Sequence, residues 1–155
     1  MLTDYVVIDL EMTGLNVKTD RILEAGAARV RGNVVTATFS EIINPKRKLP
    51  EKVVSLTGIT NEMAVQGKKM DATLMAFLDF IGEDILVGQN VIFDYSFLKQ
   101  WAVNHKRTFE RNAVDTLKLA RKFLPQEQKK DLASLCSYFG IERVHAHRAL
   151  DDVME

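Results

Sequence analysis

A single cysteine in 155 residues removes two whole classes of architecture at once. One thiol cannot form an internal disulfide, and it cannot build a cysteine-rich zinc site, so Cys136 reads as a small core residue. No run of about eighteen apolar residues occurs, which excludes a membrane-spanning helix, and no charged-then-apolar leader marks the chain for secretion. The expectation is a cytoplasmic protein. Twenty-one Lys and Arg balance twenty-one Asp and Glu. That formal charge of zero argues against coating nucleic acid by bulk electrostatics, although an acidic site and local basic patches can cancel in the sum. Also missing are GxxxxGK[ST], GxGxxG and GxSxG, and with them the usual nucleotide-cradling and serine-hydrolase readings. No HExxH pattern accompanies His145 and His147, which leaves little for zinc. There is no internal repeat, low-complexity tract or linker. With 46% hydrophobic and 27% charged residues, residues 1–155 are expected to form one domain with a real core.

What is present centres on Tyr5-Val6-Val7-Ile8-Asp9-Leu10-Glu11-Met12-Thr13-Gly14-Leu15. Its apolar run reads as a buried strand, closed by Thr13-Gly14 turn chemistry. Asp9 and Glu11 are two apart, so on an extended chain they point to one face. Side by side and buried, two carboxylates repel, and a divalent cation with oxygen ligands, Mg²⁺ or Mn²⁺, is the economical remedy. The alternative is that the strand simply emerges into water at Asp9.

Along the chain, Asn16 to Asp20 reads as a loop. Arg21 to Arg31 and Val34 to Ile43 form a hairpin across Gly32-Asn33. Lys46-Arg47-Lys48 is a basic cluster between Pro45 and Pro50, either a solvated loop or a phosphate-facing surface. Glu51 to Val65 gives two short helical pieces broken at Gly58. Asp71 caps a helix with Leu74, Phe77, Leu78 and Ile81 on one face, ended by Gly82. Ile85 to Gly88 is a short buried strand, followed by a helix running to about Asn104. Ala113 to Asp115 is a last strand, with a helix from Thr116 through Phe123. Asp131 caps a further helix ended by Gly140, and a final one begins near Arg148. This order predicts a mixed five-stranded α/β sheet with helices on both faces, with sites at the carboxyl ends of strands.

Three more acids and a histidine draw notice. Asp94 shares a helix face with Phe97, Leu98 and Trp101, where an acid is unusual, though capping or dipole neutralisation would also place it there. Near the C-terminus stand His147, Asp151 and Asp152, a histidine beside acids that suits a proton shuttle near a metal. In an unbroken helix His147 would share a face with Asp151. With His147 in a loop before the helix, Asp152 can turn inward instead.

Taken together, these pieces resemble the DnaQ-like exonucleases of the DEDDh type, whose fold is ribonuclease H-like. The motifs are Asp9-Leu10-Glu11-Met12-Thr13-Gly14-Leu15, Gly88-Gln89-Asn90-Val91-Ile92-Phe93-Asp94 and His147-Arg148-Ala149-Leu150-Asp151-Asp152. They stand in the family's order across nearly the whole chain, with Leu56-Thr57-Gly58-Ile59-Thr60 and Val114-Asp115-Thr116 between them. The resemblance implies Asp9, Glu11, Asp94 and Asp152 as metal-holding acids and His147 as general base. It selects Asp152 over Asp151 because the family sets its acid five residues on from the histidine. It implies a 3′–5′ exonuclease that hydrolyses the 3′-terminal phosphodiester with two Mg²⁺ or Mn²⁺ ions roughly 4 Å apart, releasing nucleoside 5′-monophosphates. It also implies that Thr13, Gly14, Leu15, Leu56, Thr57, Asn90 and Phe97 contact a single-stranded or frayed end. The bland reading of Leu15, Leu56 and Phe97 is ordinary packing. The wording of Asp9 to Leu15 resembles small oligoribonucleases as well, whereas Asn44-Pro45 and Leu56 to Thr60 look more like proofreading domains of bacterial replicative polymerases, so DNA and a polymerase partner or longer parent polypeptide are expected. An RNA-directed exoribonuclease and a non-catalytic module binding nucleic-acid ends are the alternatives. Two departures stand out. Gln89 replaces a histidine found in many relatives, and the chain stops three residues after Asp152.

Overall fold

The computed structural model describes residues 2–143 and 147–155. The expected order of strands and helices is the one observed. Strand β1 (Tyr5–Met12) is followed by the hairpin β2 (Ile22–Arg31) and β3 (Val34–Ile42), then by helices α1 (Glu51–Thr57), α2 (Asn61–Gln66) and α3 (Met70–Ile81). Strand β4 (Leu86–Gly88), α4 (Val91–Asn104), β5 (Ala113–Asp115), α5 (Thr116–Phe123), α6 (Leu132–Phe139) and α7 (Ala149–Met154) complete the chain. The sheet runs β3-β2-β1-β4-β5, antiparallel on the hairpin side of β1 and parallel from β1 to β5. Gly32 and Asn33 both take positive φ, 56° and 65°, the turn that matches the twist of a two-residue hairpin.

Period-two alternation assigns the two faces of β1. Val6, Ile8 and Leu10 enter the main core with Leu74, Phe77, Ile81, Val91, Leu98 and Trp101 from α3 and α4. Tyr5 and Val7 line the opposite side beside Val153 of α7 and Leu135 of α6. Asp9 and Glu11, in the same phase as Tyr5 and Val7, therefore point toward α7 at the strand's carboxyl end. Helix α7 packs on β1 and β2. Gly26 makes that possible, because a Cβ there would lie 2.4 Å from the carbonyl carbon of Ala149.

Asp131 caps α6 as expected, accepting from the Ser134 amide at 2.9 Å. The expected cap at Asp71 is corrected: α3 begins at Met70, its N-cap Lys69 makes no side-chain bond, and Asp71 lies in the first turn. The Asp71 carboxylate instead accepts from the Trp101 indole at 3.1 Å and faces His105 Nε2 at 3.0 Å. One ring on α4 and one at its C-cap take the acid. Among the described residues, no helix is long and apolar enough to cross a membrane.

Candidate active site

Sheet geometry brings the predicted acids together. β1 presents Asp9 and Glu11. From α4, Asp94 reaches back to the strand, where its Oδ1 accepts the Leu10 amide at 2.9 Å, between the two β1 acids. Asp94 is only 5% exposed. Its carboxylate is spent on β1, so capping of its own helix does not account for it. The fourth acid, Asp152, sits in the first turn of α7.

His147 falls outside that helix. Its φ is 59°, a left-handed backbone that keeps it in the preceding turn, and its amide donates to Asp152 Oδ2 at 3.2 Å. The loop reading of the last motif therefore holds over the unbroken helix. One ligand atom each from Glu11, His147 and Asp152 lie within 4.8 Å of one another. His145, the other half of the zinc reading, lies outside the described residues.

The electrostatics match the geometry. Glu11 is pushed up to about 8, first by burial and then by Asp152, Glu24 and Asp94, with Arg148 opposing. Asp94 is raised to about 7 by burial, against the Leu10 amide that favours its charge. Asp9 is held well above the ordinary carboxylate range by burial and by the neighbouring acids. Burial also raises Asp152, and the Arg143 guanidinium, 2.6 Å from its Oδ1, pulls the other way. Among the described residues Asp9, Glu11 and Asp94 have no ion-pair partner, while Asp152 has Arg143, and carboxylates packed this closely suit a hard dication with oxygen ligands. The donor set fits a divalent metal.

A fifth acid was not singled out by the sequence reading. Glu24 on β2 pairs in register with Glu11 and is 1% exposed. Its carboxylate accepts Arg148 Nη2 at 2.8 Å, Arg148 Nε at 3.1 and 3.2 Å, and the Ala149 amide at 3.0 Å. This forked pair neutralises Glu24 and ties the start of α7 to the sheet, next to His147. The available signal was the one acid inside the otherwise buried run Ile-Leu-Glu-Ala-Gly-Ala-Ala. Gln89, the departure from the family pattern, braces its loop by donating to the Lys130 carbonyl and accepting from Thr116 Oγ1, each at 2.7 Å. Asp115 accepts the Asn90 amide at 3.1 Å and caps α5.

The expected end-contacting residues divide. Leu15 is 82% exposed, and Leu56 and Asn90 are also open to solvent. Thr13 is buried, its hydroxyl donating to Asp20 Oδ1 and accepting the Arg21 amide. Gly14 sits where any Cβ would meet the Asp20 carboxylate at 2.4 Å. Thr57 closes α1, its hydroxyl bonded to the Val53 carbonyl and the Ile59 amide. Phe97 is in the core, edge-on to Phe93 at 5.3 Å. For Thr13, Thr57 and Phe97 the side chains serve the fold and shape the loops around the site. Of Leu15, Leu56 and Phe97, for which ordinary packing is the alternative, only Phe97 is buried.

The exonuclease family model (RNase_T) matches residues 6–155, and the chain belongs to that family of metal-dependent nuclease hydrolases. It is 38% identical over 149 residues to the DNA polymerase III subunit epsilon of Aquifex aeolicus, covering 96% of this chain and 74% of that protein. It is 37% identical over 153 residues to the PolC-type DNA polymerase III of Bacillus subtilis, of which it spans 10%. Among solved structures, a zinc-bound complex of E. coli exonuclease I with single-stranded DNA superposes with a TM-score of 0.86 at 21% identity, covering 99% of this chain and 38% of that one. That likeness carries the ribonuclease H-like fold.

Proposed function

We propose that this chain is a 3′–5′ exonuclease that hydrolyses the 3′-terminal phosphodiester of single-stranded or frayed DNA, using two Mg²⁺ or Mn²⁺ ions and releasing nucleoside 5′-monophosphates. The observation that carries the reading is the convergence of Asp9, Glu11, Asp94 and Asp152 at one strand end, with His147 on the rim. A structural or binding-only module has no use for a histidine held beside buried acids. Divalent cations at this site would supply Lewis-acid activation of water and of the leaving oxygen. Asp9, Glu11, Asp94 and Asp152 would hold them.

The chain's own residues supply the rest. Leu10 fixes the Asp94 carboxylate through its amide, which keeps that ligand aimed at β1. Exposed His147, outside α7, is free to take a proton from the attacking water. Arg143 holds Asp152 Oδ1 and so orients that carboxylate toward the other acids, where it would serve as a ligand. Leu15, an aliphatic side chain standing in water, is placed to wedge against a terminal base. Such a pocket takes any sequence and favours an end already melted. The polymerase relatives support a proofreading role beside a DNA polymerase, in the cytoplasm.

The test is digestion of 5′-labelled DNA and RNA oligonucleotides that are single-stranded, paired or mispaired at the 3′ end. Stepwise shortening from the 3′ end, faster on single-stranded and mispaired DNA and abolished by EDTA, is expected. Internal cuts alone, or shortening that EDTA leaves untouched, would overturn the reading.

A further inference from the structure

Seven of the twenty-one cationic residues, Lys18, Arg21, Lys46, Arg47, Lys48, Lys68 and Lys69, come from three short segments that the fold gathers beside the loop following β1. All seven are exposed. Among the described residues only Arg47 is ion-paired, loosely, to Asp20 at 3.8 Å. The carboxylates of Asp20 and Asp71 are already engaged: Asp20 by Thr13, the Asn16 amide and Arg47, and Asp71 by Trp101 and His105. Positive charge is thus left in excess on a protein that carries none overall. Arg21, Lys46, Arg47 and Lys69, with Asn44, Pro45 and a single carboxylate, Asp71, line an open cavity of about 580 Å³.

The cavity wall is built rather than loose. Ile43 bridges to Lys68, with the Asn44 amide donating to the Lys68 carbonyl at 2.9 Å and the Lys68 amide to Ile42 at 2.8 Å. The Asn44 side chain accepts the Lys46 amide at 2.9 Å and donates to the Val65 carbonyl at 2.8 Å. It thereby holds Lys46 at a φ of 57°, a conformation a lysine rarely adopts unaided. The same frame leads to the acids. The Thr13 amide donates to the Arg21 carbonyl at 2.9 Å, and the Arg21 amide returns to Thr13 Oγ1 at 3.0 Å. Thr13 is two residues beyond Glu11, roughly 7 Å along an extended chain.

We infer that this groove is a track for the phosphodiester backbone of the nucleic-acid strand whose 3′ end occupies the acidic site. The inference rests on the nuclease reading and adds where the strand runs. Anionic backbone beside unpaired cations gains by counterion release regardless of base sequence. It also offsets the repulsion that a cluster of acids imposes on an approaching phosphate chain.

The test compares the wild-type chain with the double variant Lys46→Gln/Lys69→Gln, whose changes lie on exposed side chains. Hydrolysis is measured on a single-stranded oligonucleotide of about twelve residues and on the p-nitrophenyl ester of thymidine 5′-monophosphate, which offers one diester and no backbone. Binding of the same oligonucleotide is followed by fluorescence anisotropy in EDTA. Expected are an oligonucleotide KM and Kd raised about tenfold, a salt slope of log K smaller by about 1.4 for two lost contacts, and unchanged turnover of the small ester. Unchanged binding and salt slope, or an equal loss on the small ester, would overturn the track. A wild-type protein that binds the oligonucleotide through these lysines but cleaves nothing would sink the nuclease reading and leave the track standing.

Discussion

Stripped of divalent cations, this protein should lose stability as pH rises from about 5 to 8.5. Glu11 in the folded chain titrates near 8 against an ordinary value of 4.5, and Asp94 near 7 against 3.8. In both, the folded state holds its proton more tightly than the unfolded state does. The stabilisation is therefore complete below the unfolded pKa and disappears as pH climbs through the folded one. At about 1.36 kcal/mol per pH unit, Glu11 alone sets an upper figure near 5 kcal/mol and Asp94 one near 4. The two share one pocket and their contributions overlap, so about 3–6 kcal/mol in all is the expected loss. For a domain of this size that is on the order of 10 °C in Tm. Scanning calorimetry in EDTA at fixed ionic strength measures it directly. Glu11→Gln should flatten the pH dependence, and saturating Mn²⁺ should restore stability most at the alkaline end. A Tm for the stripped protein that stays level or rises between pH 5 and 8.5 would refute the claim that these acids are buried together without a counter-charge.

His147→Gln should lower kcat about 10²- to 10³-fold, with Mn²⁺ affinity little changed by calorimetric titration. Arg148→Ala leaves Glu24 buried beside Glu11 and Asp9 and should cost about 3 kcal/mol in urea unfolding, the low end for a broken buried pair because the guanidinium is 36% exposed; adding Glu24→Gln should recover part of it. Gly26→Ala forces a Cβ against the Ala149 backbone, displacing the helix that carries Asp152. Its cost is about 1–3 kcal/mol, with a larger proportional loss of nuclease activity than of folded protein.

The parts of the fold that could be read from the sequence are those fixed by local rules. The apolar run Tyr5 to Ile8 gave the strand, the two-residue spacing of Asp9 and Glu11 their common face, Gly32-Asn33 the hairpin, and Gly58, Gly82 and Gly140 the helix ends, each at positive φ. Asp71 misled because an acid near a helix start satisfies the capping pattern whether or not its carboxylate turns outward to Trp101. Asp9 and Glu11 were legible through their spacing, and Asp94 through its misplaced polarity on an apolar face. Glu24 and Arg148 were not. Their pairing spans 124 residues and depends on the β1–β2 register and on where α7 lands, neither of which either residue's neighbours encode. The choice between Asp151 and Asp152 likewise required the left-handed backbone at His147.

The central claim is that four acids from three distant parts of the chain form one dication pocket. Calorimetric titration of Mn²⁺ into the stripped protein at pH 7.5, in two buffers of different ionisation enthalpy, tests it most directly. Binding with proton release is predicted, sharply weakened by Asp9→Asn and by Asp94→Asn alike. Binding that releases no protons, or that survives both substitutions unchanged, would contradict it.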